Sequence, residues 1–255
     1  MIKHISLYGF IGSYAFLLLI IILSYREKLN IAKDVIITFL RMSVQLFLSG
    51  FVLLYIFKLD SAAVTTIIFL IMIFFASRIV ISRTKVNIKN AGVYIFLSIL
   101  ISAIFILSIL LFGIIKLDSF NPRYVIPLAG MVIGNSMNSM AIGIERFNSQ
   151  INENRDYIED MLCMGADRNE ALFDMKRAAL KSSLLPSLSS ASGMGIVFLP
   201  GMMTGQILSG INPVESVYYQ IVIVMAIAVS VALSNYLMLN LIKHSFFNRY
   251  DQPTF

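Results

Sequence analysis

Seven stretches, near residues 6–24, 35–57, 61–80, 91–115, 123–144, 182–209 and 214–242, run for at least 18 residues each with very few charges. Nothing else in the chain limits its fold as strongly, because a helix needs about 20 apolar residues to cross the hydrocarbon of a bilayer. The runs lack the two-residue alternation of barrel strands, and a helix satisfies its own backbone hydrogen bonds where no water is at hand. The sequence therefore reads as all-α, a polytopic membrane protein with about seven transmembrane helices. With no fixed-period repeat and no low-complexity linker, it reads as one transmembrane domain over 1–255. A hydrophobic share of 58%, a charged share of 13% and a mean hydropathy of +0.83 exclude a water-soluble enzyme.

The formal charge is +6, but the basic residues are scattered over short connections, a pattern that argues against nucleic acid and for the positive-inside bias. Arg26, Lys28, Lys33, Arg78, Arg83, Lys85, Lys89, Arg146, Arg155, Arg168, Lys176, Arg177, Lys181, Lys243 and Arg249 put 15 on one side. Lys3, Lys58, Lys116 and Arg123 put four on the other. The N-terminus is thus expected outside and the C-terminus in the cytoplasm. Basic residues follow the first apolar core and no small-residue cleavage site does, so this stretch reads as a retained anchor. Outside connections near 58–60, 116–122 and 210–213 are too short for a domain. The single cysteine, Cys163, excludes an internal disulfide and a Cys-only metal site.

Only one inside connection is large, about 145–181. It carries eight acidic residues against six basic ones, a net −2, so it suits water or a protein partner better than anionic lipid. Ile158, Met161 and Leu162 give helical spacing up to Met164, after which Gly165 fits the left-handed position that ends a helix. Asp167 with Glu170 three residues later forms a capping-box pattern, and Ala171, Leu172, Met175, Ala178 and Ala179 carry an apolar face onward. One reading is a plain helical hairpin joining two spans. The other is a cytoplasmic coupling helix in which Glu159, Met161, Leu162, Met164, Gly165 and Ala166 dock on a motor. The Glu159-to-Gly165 distance resembles the EAA-type loop by which ABC permeases engage their ATPases, although Asp160-Met161 replaces the expected Ala-Ala and Pro186 lies too far from Gly165.

Three stretches are similar to the FetB-type iron-export permease family: Ile126 to Asn138 (IPLAGMVIGNSMN), Met164-Gly165-Ala166, and Leu199 to Leu208 (LPGMMTGQIL). The resemblance covers nearly the whole chain from the second span onward. It implies the permease subunit of an ATP-driven ABC exporter in a bacterial cytoplasmic (inner) membrane, paired with a second copy of itself and a separate FetA-type ATPase. Iron or another metal is the implied cargo. Plant relatives tied to a nucleotide sugar keep a nucleotide-sugar exporter open, and an ATPase-independent carrier or channel or a membrane scaffold remain as alternatives.

No G-x-x-x-x-G-K-[S/T] sequence occurs, and no glycine is followed by lysine. The chain is therefore expected to be no enzyme and to have no intrinsic cofactor, with ATP and Mg handled by the partner. No Asp or Glu stands in the middle of a span, and the two histidines, His4 and His244, lie near the termini. Arg41, four residues before Gln45, is the one central charge. It either snorkels to headgroups or faces a partner helix or water. Candidate pathway residues are Arg41, Gln45, Met131, Asn135, Met137, Asn138, Met202, Met203 and Gln206. The small residues beside them equally suit close helix packing, and thioethers favour soft ions over iron, so no metal site is assigned. Pro186, six serines between 182 and 192, and Pro200-Gly201 weaken the sixth span, so a hinge at Pro200 and Gly201 is expected to break it near 199–205.

Overall fold

The computed structural model describes residues 6–84, 90–117 and 119–247; Lys3, His4, Lys85, Lys89 and Arg249 of the charge and motif readings lie outside them. The described elements are helical, and they group into two compact units, Met1–Asp60 and Ser61–Phe255.

The first unit holds α1 (Leu7–Ser13), α2 (Ala15–Arg26) and α3 (Ala32–Leu59). The Ser6 hydroxyl accepts from the Gly9 amide and opens α1. Tyr14, between α1 and α2, donates to Ser43 Oγ of α3 at 2.5 Å, and the Ile31 amide donates to Ser24 Oγ. Asp60, in the left-handed region at φ 41°, closes α3. The unit is apolar on most of its surface, as a lipid-facing element should be.

The second unit contains α4 (Ala62–Thr84), α5 (Ala91–Ser108) with a π-helical end at Ile109–Ile114, α6 (Pro122–Glu153), α7 (Arg155–Cys163), α8 (Arg168–Ala171), α9 (Phe173–Gly193), α10 (Gly201–Leu208) and α11 (Pro213–Ile242). Both long helices start alike. Asn121 accepts from the Arg123 amide and Asn212 from the Val214 amide, each followed by proline at the first helical position, where its missing N–H costs nothing. At 1.5 Å per residue the 32 residues of α6 span about 48 Å, so its end must project beyond a hydrocarbon layer of about 30 Å.

The core lies where α6 meets α4, α9 and α11, around Ile73, Ile99, Val132, Met140, Ile144 and Met238. Small polar residues let α6, α9 and α11 approach closely. Ser136 and Ser230 share a hydrogen bond at 3.2 Å, Ser139 Oγ donates to the Ser183 carbonyl at 2.8 Å, and Asn235 Nδ2 donates to both Ser139 Oγ and the Val231 carbonyl. Each contact gives a side-chain hydroxyl or amide N–H a partner that an apolar medium would not supply.

Among the described residues six helices are long and apolar enough to cross a membrane: Tyr8–Arg26, Ala32–Leu59, Ala62–Thr84, Ala91–Ile114, Pro122–Glu153 and Pro213–Ile242. The stretch expected as the sixth span, 182–209, is two helices. α9 ends at Gly193, residues 194–200 are non-helical, and α10 begins at Gly201.

Candidate functional site: a broken helix beside a half-open cavity

The interruption has its own architecture. Gly195 takes φ +82°, a conformation that a side chain would strain, and its amide donates to the Phe198 carbonyl at 3.0 Å while Val197 N–H donates back to the Gly193 carbonyl at 2.8 Å. Pro200 caps α10 with extended backbone and Gly201 is its first residue. The break therefore precedes the expected hinge: a glycine turn at 193–198 stops the helix, and Pro200-Gly201 restart it. Pro186 sits inside α9 without ending it.

Beneath the break lies a cavity of about 360 Å³ between α6, α9 and α11. Asn135, Asn138 and Ser139 enter it from α6, Ser187 and Ser190 from α9, and Gln220 from α11, with the thioethers of Met131, Met194 and Met202 completing its wall. Every polar group is neutral. Asn135 Nδ2 donates to the Met131 carbonyl one turn back, and Asn138 Oδ1 accepts from Arg83 Nη1 of α4 at 3.1 Å. Gln220 Oε1 is buried with no hydrogen-bond partner, an acceptor whose desolvation is uncompensated. Among the described residues no group of three His, Cys, Asp or Glu side chains could hold a metal ion.

Met131, Asn135, Asn138 and Met202 thus line one cavity. Gln206 lines a second cavity of about 600 Å³ with Arg123, Tyr124 and Glu215, Met203 faces another apolar space beside Met225, and Met137 packs against the core. Arg41 and Gln45 stand exposed on α3 in the first unit. Sequence reasoning missed Gln220, Ser187 and Ser190. Gln220 left a signal, an amide within an otherwise apolar helix, whereas the serines registered only as weakeners of a helix.

The 145–181 segment folds as its local pattern dictates. Gly165 adopts φ +94°, its amide donates to the Leu162 carbonyl and the Ala166 amide to the Met161 carbonyl, both at 3.0 Å, a Schellman closure of α7. Asp167 accepts from the amides of Asn169 and Glu170 while Glu170 accepts from the Asp167 amide, which completes the capping box. The Glu170 amide, with the Asn169 side chain second, holds the Asp167 carboxyl below its ordinary range. α8 stops at Ala171 and α9 starts at Phe173, so the second helix is bent at Leu172. Ile158, Ala171, Leu172 and Met175 are buried, and Met161 and Leu162 partly so. Glu159 and Gly165 point outward with Met164, which is 75% exposed. At the adjoining helix ends Lys176 donates to Asn240 Oδ1 at 2.6 Å and Lys243 donates to Asn169 Oδ1. Burial, then the neighbouring Lys243, pushes the Lys176 ammonium below its ordinary range.

Long apolar helices and a discontinuous one beside a half-open cavity define a helical membrane protein whose irregular backbone lines a cavity, the setting in which lipid-embedded chains tolerate it. The chain belongs to the family described as Uncharacterised protein family (UPF0014), whose model matches residues 7–247. It is 36% identical over 238 residues to UPF0014 membrane protein YjkA of Bacillus subtilis, covering 93% of this chain and 94% of that one. It is 33% identical over 233 residues to the probable iron export permease protein FetB of Escherichia coli, covering 91% and 88%. To protein ALUMINUM SENSITIVE 3 of Arabidopsis thaliana it is 31% identical over 234 residues, covering 91% and 84%. The FetB resemblance of the sequence motifs therefore extends along the chain. No solved structure matches it.

Proposed function

We propose that this chain is the permease subunit of an ATP-driven ABC exporter of the inner membrane, working as two copies with a separate FetA-type ATPase that supplies ATP and Mg chemistry. Iron or another metal species is the cargo. The observation that carries this reading is the Schellman-closed tip at Met164-Gly165, an exposed apolar point on a rigid pair of helices in the one large connection. A tip so braced can be pushed as a unit by a motor domain, and α8 and α9 lead from it to the break. Similarity to FetB supports the cargo class. The cavity offers amide oxygens, hydroxyls and thioethers, neutral ligands that bind weakly enough to release a passing solute.

Gly165→Val tests the coupling. A Cβ at Gly165 would meet nothing within 4 Å, so no internal clash opposes the change. Strain at φ +94° and lost access to the tip are what remain. The expected result, in proteoliposomes with the ATPase, is a normally inserted permease that co-purifies poorly with its partner and shows no iron-stimulated hydrolysis. Wild-type binding and transport by this variant would make the loop a mere connector.

A further inference from the structure

The chain that follows α11 packs against the coupling hairpin. Lys243–Phe246 form one turn of 3-10 helix and Phe247 is extended, and both phenylalanines are buried in the core. Phe246 meets Phe147 of α6 edge to face, with ring centroids 5.6 Å apart. Toward α8, Arg168 Cζ lies 5.1 Å from the centroid of the Phe247 ring, and Lys243 donates to Asn169 Oδ1. Eight residues beyond Arg168, in α9, Lys176 Nζ donates to Asn240 Oδ1 at 2.6 Å and stands 4.8 Å over the Tyr236 ring, both on α11. The Asn240 amide is itself oriented by Nδ2, which donates to the Tyr236 carbonyl at 2.9 Å. We propose that Lys243, Phe247 and Lys176 form a clasp that fixes the coupling hairpin to the end of α11, and that through it a push on the Met164-Gly165 tip reaches α11 as well as α9.

Chain connectivity alone would not do this. α7 and α8 are joined in sequence to α6 and α9, and α11 is reached only through space. A hairpin held by its own ends would flex at Asn154 and Leu172, the two residues that leave helical geometry. The clasp straddles the second of them. Arg168 and Asn169 are tied on one side of Leu172 and Lys176 on the other, all to the same stretch of α11 and its final turn, so the bend cannot open without breaking one set of contacts. The contacts suit a junction that must hold beside water: each cation lies over an aromatic face, and its alkyl stem covers apolar surface while the charge stays hydrated or hydrogen-bonded. α11 also carries Gln220, Val224 and Ala228 into the cavity wall, and α9 ends at the break. A clasped tip therefore acts on two elements of the cavity at once, through contiguous contacts.

The inference rests on the coupling reading, and its test separates the two. Lys176→Met with Lys243→Met removes the charged ties and keeps the stems, so no core position is emptied; Lys176→Arg with Lys243→Arg restores the donors. In a Cys163→Ser background, spin labels on Met164→Cys and Val229→Cys, both at exposed positions, report the tip-to-α11 distance in the permease alone. The methionine pair is expected to broaden that distribution and the arginine pair to keep it narrow. In proteoliposomes, the methionine pair is expected to bind the ATPase and hydrolyse ATP as the parent does while the iron exported per ATP falls on the order of fivefold, and the arginine pair to restore the ratio. An unchanged distance distribution would show that the ties do not hold the hairpin. A broadened distribution with an unchanged ratio would show that they carry no push. Either result overturns the inference and leaves the export reading standing. A parent permease that does not engage the ATPase would instead defeat the export reading, and the distance distributions alone would then decide whether the clasp holds.

Discussion

Gly143→Ala is the sharpest probe of the packing that holds the cavity in place. A Cβ at Gly143 would lie 2.6 Å from Asn235 Oδ1 and 3.3 Å from Ser183 Cβ, where α6, α9 and α11 meet. Asn235 is fully buried, and its Nδ2 is held by Ser139 Oγ at 2.7 Å and the Val231 carbonyl at 2.8 Å, so the amide cannot turn away without breaking both bonds. Overpacking of this kind costs about 1–3 kcal/mol, and two hydrogen bonds within a membrane are worth about 0.6 kcal/mol each, so the loss is about 2–4 kcal/mol. Reversible unfolding in mixed micelles reads it directly. Asn235→Ala removes the obstructing oxygen, so the Gly143→Ala, Asn235→Ala double variant is expected to be more stable than the sum of the single losses by about 1 kcal/mol or more. If Gly143→Ala lies within about 0.5 kcal/mol of the parent, the Asn235 amide is not pinned and the account of the seam fails.

Replacing both Pro200 and Gly201 by alanine is expected to leave the break intact, because the turn at 193–198 precedes them, whereas Gly195→Val forces a β-branched residue to φ +82° and should impair transport; a straightened helix in the first variant, measured by spin-label distances across 190–204, would contradict this. Asp167 binds the Asn169 and Glu170 amides as a carboxylate and has a depressed pKa, so its stabilisation is present above the ordinary Asp value and lost as pH falls through the depressed one. Amide exchange at Asn169 and Glu170 of α8 should accordingly accelerate relative to α9 only in that acid window, and Asp167→Ala should abolish the pH dependence. In a Cys163-free background, a thiol at position 60 is expected to label from outside and one at 153 only from inside, as the basic asymmetry requires; the reverse pattern would remove the docking argument along with the orientation.

Much of this molecule follows from patterns a few residues long. Burial in lipid asks only that a helix be long and apolar, so the spans around α2 to α6 and α11 are legible from runs of side chains alone. The caps are legible too, because Gly165 and the Asp167–Glu170 pair act on backbone groups within one turn of themselves. Position in the bilayer plane is another matter. Whether Met131, Met137 or Met140 faces a cavity or the core depends on which helices stand beside α6, and only the tertiary arrangement set Met131 on a cavity wall and buried Met140 completely. The same holds for Asn138, which meets Arg83 of α4, and for Gln220, whose orphan acceptor is visible only once α9 and α10 lie against α11. The break itself was announced by proline and serine, yet its location was decided by a glycine turn whose hydrogen bonds close only when Phe198 folds back on Gly193 and Gly195. Sequence determines what local chemistry and the solvent demand of a segment; the cavity exists because separate segments converge, and their convergence is a property of the packed bundle.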